Sequence, residues 1–256
     1  MSEPSIDVVP ISGPPGVARW QAVAEPDAVA GTAALWPVPA LRPDVPELSL
    51  YVGPQWRRRG IGSRLLTAVR EQATEPLLLA DVVVDSPGEA FCRWHGFRHT
   101  RSRRRHLLTY CDVHQAWLGE LVDAEHPGYR LTHWTGDLPG SPHVEELLRS
   151  PSGPGNTVLT AAEAGGDLAA YSVAVVGVLA ARRARQYGPA VLPGHRGRRL
   201  GRWVSAALIQ RLREVHPDVT EIEAATAEDD AGLLATRAHL GFRLVRSTRL
   251  YELTLP

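Results

Sequence analysis

Residues 55–66 read QWRRRGIGSRLL. Three arginines lead through two glycines into an amphipathic run, an order of residue types that suits an anion. If the run is a helix, its first N–H groups lack intrahelical partners and its dipole adds partial positive charge there. Glycines let the backbone close on a ligand without a Cβ in the way. Arg57, Arg58 and Arg59 add attraction and bidentate phosphate contacts. Together these make a nest for a pyrophosphate. Two other phosphate signatures do not fit, because the chain has no Gly-Lys-Ser/Thr and RRRGIG lacks the three-glycine dinucleotide spacing. Residues 194–205, GHRGRRLGRWVS, nearly repeat the phrase, with Arg199 where the first copy has Gly60.

The elements that must position these turns also repeat. An ungapped alignment sets Val52-Gly53-Pro54 against Val191-Leu192-Pro193 and Gly62 against Gly201, and later WHGFR (94–98) against HLGFR (239–243). Each unit then runs strand, Arg/Gly turn, amphipathic helix, second strand, short helix ending in Gly-Phe, and closing strands, a duplication at domain scale. The segments 18–25 and 28–36 read as strands around a Pro-Asp turn. Leu48, Leu50 and Val52 alternate with Ser49 and Tyr51, the period of a half-buried strand. Ile61, Leu65, Leu66 and Val69 share one helical face, and LLLADVVV reads as a strand covered on both faces. EAFCRWHGF is a helix stopped by Gly96, and 101–110 a strand. A helical connector at 111–128 leads, past a boundary near His126, to the strand YRLTHW, a Pro/Gly/Ser-rich stretch (139–155), a hairpin through Gly165-Gly166, and a helix with Leu200, Val204, Leu208 and Leu212 at i+4 spacing.

A chain of 256 residues with 44% hydrophobic composition supports two ordinary cores. Net charge is zero, so nothing global recruits nucleic acid or an acidic membrane, and no apolar run reaches the roughly 18 residues of a membrane span. All 28 cationic residues are arginine, which fits the coding bias of a GC-rich genome and leaves no lysine for Schiff-base chemistry. Cys92 and Cys111 have no metal-ligand spacing, and the N-terminus lacks the features of a signal peptide. These readings predict a cytoplasmic protein with reduced thiols and no metal.

The sequence resembles the GNAT acetyltransferase superfamily twice. LYVGPQWRRRGIGSRLL is similar to the family's acyl-CoA pyrophosphate motif and AFCRWHGF to its later helix; VLPGHRGRRLGRWV and LLATRAHLGFR resemble the same motifs in a looser form. The layout is similar to that of two-domain, mycothiol synthase-like members. The resemblance implies an α/β (α+β) architecture of two tandem domains, residues 1–125 and 126–256, each a mixed, mostly antiparallel sheet flanked by helices. It implies acetyl-CoA, or another acyl-CoA, as co-substrate and direct transfer to an amine acceptor of unknown size, a peptide or carrier protein included. It places pantetheine along Leu50, Tyr51 and Val52, and the pyrophosphate on Arg57, Arg58, Arg59, Gly60, Ile61, Gly62 and Ser63. Asp85 stands where the family often has a CoA-contacting Asn, and Glu47 is the candidate general base.

Several positions depart from the family pattern. Cys92 replaces the usual Tyr acid; a small buried hydrophobe and a thiol acid are both open readings. His95 reads as a helix C-terminal cation. Arg101, Arg103 and Arg105 read as a charged edge strand or as a basic face for the CoA 3′-phosphate. The usual first strand and two helices have no counterpart before Ala18. In the second unit, Pro189 opposes Leu50, Arg199 opposes Gly60 and Gln186 opposes Glu47, so its CoA motif reads as degenerate. An acyl-CoA-dependent N-acetyltransferase working from the first domain is the leading expectation. The alternative is a non-catalytic CoA-binding or protein-interaction module. Nucleic-acid and membrane partners are not expected, and a homodimer is left open.

Overall fold

The computed structural model describes residues 5–13, 16–24, 28–36, 45–74, 76–138, 143–177 and 180–255. The Pro-Asp turn after β2 and residues 139–142 of the Pro/Gly/Ser-rich stretch lie outside them. The first unit contributes β1 (Ile6–Ile11), β2 (Ala18–Ala24), β3 (Ala28–Trp36), β4 (Glu47–Val52), α1 (Ile61–Gln72), β5 (Leu77–Val83), α2 (Pro87–Trp94) and β6 (Arg98–Thr109). The connector helix α3 (Gln115–Asp123) follows. The second unit contributes β7 (Arg130–Gly136), α4 (Val144–Arg149), β8 (Thr157–Ala164), β9 (Asp167–Gly177), β10 (Ala180–Val191), α5 (Leu200–Val215), β11 (Glu221–Ala227), α6 (Ala231–His239) and β12 (Arg243–Thr254).

The helices form where apolar spacing demands them. Ile61, Leu65, Leu66 and Val69 are the buried face of α1, and Leu200, Val204, Leu208 and Leu212 lie on that of α5. The first strand, expected to be missing, is present: β1 pairs antiparallel with β2 from Ile6–Ala24 to Ile11–Arg19. Only six residues separate Ile11 from Ala18, too few for the two helices that a GNAT domain normally places there.

Among the described residues, twelve strands form one sheet, in the order β1-β2-β3-β4-β5-β12-β6-β11-β10-β9-β8-β7. Chain order and sheet order part at the centre. The closing strand of each unit completes the sheet of the other: β12 pairs with β5, β6 pairs with β11, and β6 and β12 pair with each other. The boundary near His126 therefore divides the chain but not the sheet. The cores follow the exchange. Tyr251, Leu253 and Leu255 lie in the first core with Trp20, Leu65 and Leu78, while Leu108 and Tyr110 lie in the second with Leu208, Ile209 and Ile222.

β4 with β5 and β10 with β11 pair in parallel. The first has a single register pair, Glu47–Leu79, and the second ends at Gln186–Ala224. Glu47 and Gln186 are equivalent in the duplication, so both units part their strands at the same place. The sheet also curls. A flat sheet would separate β4 from β10, five positions away, by about 24 Å, yet Arg185 on β10 reaches Glu47 on β4 at 2.8 Å. No helix among the described residues is long and apolar enough to cross a membrane.

Candidate functional site

A cleft of about 740 Å³ opens where β4 leaves β5. Leu48, Leu50 and Val52 of β4 form one wall, and Ala80 and Val82 of β5 another. The cleft continues over the arginine–glycine turn to the start of α1, and α2 closes its far side with Phe91 and Cys92. Of the residues expected here, Leu50, Tyr51, Val52, Arg57, Arg58, Gly60, Ile61, Gly62, Ser63 and Cys92 line the cleft; Glu47, Arg59 and Asp85 do not.

The turn is built to expose backbone. After a single 3₁₀ turn, Pro54–Trp56, Arg58 and Gly60 both take left-handed backbone, with φ 65° and 74°. The first main-chain acceptor of α1 is Gly60 O, bonded by Arg64 N at 3.0 Å. Helix geometry therefore leaves the N–H groups of Ile61, Gly62 and Ser63 without intrahelical acceptors at the cleft. A Cβ at Gly60 would meet nothing within 4 Å, so this side of the turn is open to a ligand. Gly62 serves packing instead, since a Cβ there would come within 2.9 Å of the Phe91 ring. Arg57 is tied back to Val52 O at 3.2 Å, and Arg59 turns away over the Trp56 ring at 5.3 Å. Asp85 takes left-handed backbone with φ 56°, and its N–H donates to Glu89 Oε2 at 2.7 Å.

Of the two candidate catalytic groups, Cys92 lines the cleft and Glu47 does not. Cys92 is buried, and desolvation, with the nearby Glu89 charge, pushes its thiol up to about 12. Burial therefore disfavours the thiolate and makes Cys92 a weaker acid than a free thiol. Its burial suits the small buried hydrophobe better than the acid. Glu47 is 8% exposed, and its Oε1 accepts from Arg185 at 2.8 Å with Arg105 Nη2 at 3.9 Å. A carboxylate already engaged by two guanidiniums, and outside the cleft lining, is poorly placed to take a proton from an amine there.

Glu47 belongs to a charged cluster that joins the units. Arg105 also binds Asp81 Oδ2 at 3.1 Å and Glu223 Oε1 at 2.8 Å, and Arg103 binds the same Asp81 oxygen at 3.1 Å. This overturns the edge-strand reading of the alternating arginines, since β6 lies at the centre of the sheet; Arg103 and Arg105 are paired with acids, and Arg101 is exposed. His95 sits in the cleft with Nε2 3.1 Å from Ser63 Oγ, and burial, followed by Arg70, lowers its pKa.

Glu89 went unnoticed in the sequence, where nothing marks it apart from other helix-start acids. Its buried carboxylate accepts from Arg93 at 2.7 Å, from the Tyr251 hydroxyl at 2.8 Å and from Arg249, so the exchanged strand β12 is fastened beneath α2. The Arg249 hydrogen bond, followed by the Asp85 N–H, lowers its pKa to about 2. Because the folded-state value lies below the unfolded one, this contribution is complete above about pH 4.5 and is lost as pH falls toward 2. Thermal melts should therefore show stability falling over that window, and Glu89→Gln should flatten the fall while lowering the melting temperature at neutral pH. An unchanged acid profile would contradict this role.

The second unit keeps the turn. Arg199 holds the left-handed backbone of its counterpart Gly60, with φ 62°. A Cβ on Gly201 would lie 3.3 Å from Val191 and 3.4 Å from Pro189, so α5 starts tight against β10. Arg198, Arg199 and Arg202 line a separate pocket of about 400 Å³ with Leu121, Tyr129 and Trp203, beside the connector.

Residues 8–97 match the family model described as the Acetyltransferase (GNAT) family. No curated protein matches the chain. Among solved structures, it is similar to a tandem GNAT protein from the clavulanic acid biosynthesis pathway at 22% identity and a TM-score of 0.63, over 94% of this chain and 83% of that one. It is also similar to a GCN5-related N-acetyltransferase from Kribbella flavida, at 14% identity and a TM-score of 0.58, over 97% and 89% of the two chains. A GCN5-related N-acetyltransferase-like protein from Streptococcus suis gives 14% identity and 0.59, over 88% and 84%. The family match thus falls on the first unit. The chain as a whole has the tandem GNAT fold.

Proposed function

We propose that the chain is an acyl-CoA-dependent N-acyltransferase that binds acetyl-CoA, or a close acyl-CoA, in the cleft of its first unit. The observation that carries this reading is the continuity of the cleft from the parting of β4 and β5 to the open turn at Gly60. The edge of β4 freed beyond Glu47 offers main-chain partners for pantetheine, and the apolar wall of Leu50, Val52 and Val82 takes its stem. The N–H groups of Ile61, Gly62 and Ser63, with Arg57 and Arg58, take the pyrophosphate. This puts the thioester near Leu48 and Cys92, the end of the cleft remote from the turn.

With Cys92 a poor acid and Glu47 held by arginines, the unit contributes mainly by binding and orientation. The acceptor nitrogen, taken up as the free amine, forms the new C–N bond; the C–S bond breaks, the thiolate leaves, and water removes the surplus proton from nitrogen. Turnover then rises with pH until the acceptor itself is deprotonated. Mass spectrometry of products from acetyl-CoA and a panel of small amines, peptides and carrier proteins tests this. An acetylated amine whose rate follows the acceptor's own titration supports it. Binding of acetyl-CoA without transfer to any class favours a CoA-binding module, which the engaged Glu47 and the weak Cys92 acid would also fit.

A further inference from the structure

We infer that Arg237 is the residue that closes the second unit to acyl-CoA, its guanidinium acting as a built-in ligand in the space that the first unit leaves open. The inference rests on the reading of the first cleft as the acyl-CoA site. The repeated WHGFR/HLGFR segments set Arg237 of α6 opposite Cys92 of α2. Cys92 ends at the cleft wall. Arg237 continues across: Nη1 donates to Gln186 Oε1 at 2.5 Å and Nη2 to Gly188 O. In the duplication Gln186 and Gly188 stand for Glu47 and Ser49, and Gly188 lies just beyond the last β10–β11 register pair. The guanidinium therefore bridges helix and strand where β10 and β11 part.

A second contact fixes the same location. Phe97 lines the first cleft, and its counterpart Phe242 lies under the Arg237 guanidinium, 4.8 Å from Cζ to the ring centroid. Arg237 is wholly buried, and among the described residues no carboxylate pairs with it. Desolvation lowers its pKa, to about 9. A buried cation without a counter-ion is costly, and here it is held by an amide oxygen, a backbone carbonyl and a ring face. Gln186 is itself fixed through Nε2, which donates to Ser172 Oγ at 2.7 Å. Glutamine at this position supplies the acceptor that the guanidinium uses while its amide end stays anchored.

The test has a thermal arm and a binding arm. Arg237→Ala removes the guanidinium and leaves its hole, so the variant should melt several degrees lower. Millimolar guanidinium should restore part of the loss in a saturable way, with no effect on the wild type. Arg237→Cys, which copies the first unit, should show the same rescue if the alanine variant folds poorly. A wild-type melting temperature, or no saturable rescue in either variant, overturns the inference. In calorimetry, Pro189→Leu with Arg199→Gly should still bind one acetyl-CoA per chain, and adding Arg237→Cys should reveal a second. A second equivalent bound with Arg237 in place, or none once it is replaced, also overturns it. Absence of any acetyl-CoA binding by the wild type fails the reading of the first cleft instead, and the thermal arm then decides on Arg237 alone.

Discussion

Removal of residues 243–256 should give a chain that neither melts cooperatively nor binds acetyl-CoA, although the cleft is lined entirely by residues between Leu48 and Phe97. β12 fills the place between β5 and β6, with seven register pairs to β5 and nine to β6. Its loss exposes two central strand edges. Tyr251, Leu253 and Leu255 leave the first core, each burial worth roughly 1.5–3 kcal/mol. Against a total stability of about 5–15 kcal/mol for a typical protein, that loss alone is enough to unfold a marginal chain. Glu89 also loses Arg249 and Tyr251 and remains a buried carboxylate with fewer donors. Circular dichroism melts and acetyl-CoA titration of the truncated chain check the result. A truncated chain with a cooperative transition and wild-type binding would contradict the strand exchange as described.

Gly60→Arg should weaken acetyl-CoA binding tenfold or more, about 1.4 kcal/mol per decade. The substitution copies the second unit into the first, and the second unit shows that arginine tolerates this backbone: Arg199 sits there with φ 62°, against 74° for Gly60. No protein atom lies within 4 Å of a Cβ at Gly60, so the fold should survive. The new side chain would instead cover the N–H groups at the start of α1, where the pyrophosphate is proposed to sit. Unchanged affinity in a folded variant would put the pyrophosphate elsewhere.

The legible parts of this protein are local. The Arg/Gly turns, the apolar stripes of α1 and α5, and strands such as Ala28–Trp36 follow from spacing and composition over a few residues. β1 escaped because it is a half-exposed edge strand with a proline at position 10, which mutes the alternating pattern. The strand exchange could not be read from β6 and β12 themselves, since either closing strand has the pattern to complete either half. The surroundings of the candidate catalytic groups were illegible for the same physical reason. What engages Glu47 is Arg185, 138 residues away, and what weakens Cys92 as an acid is burial. Arg237 had a usable signal, because the two Gly-Phe segments already set it opposite Cys92. A charged residue at a position that is apolar in the other copy points to a filled site.

The central claim is one acyl-CoA site per chain, in the first unit, and titration calorimetry of the wild type with acetyl-CoA tests it most directly. A stoichiometry near one, with binding weakened by Gly60→Arg and indifferent to Arg199→Gly, is the predicted result. A stoichiometry near two, or binding that Gly60→Arg leaves untouched, would contradict it.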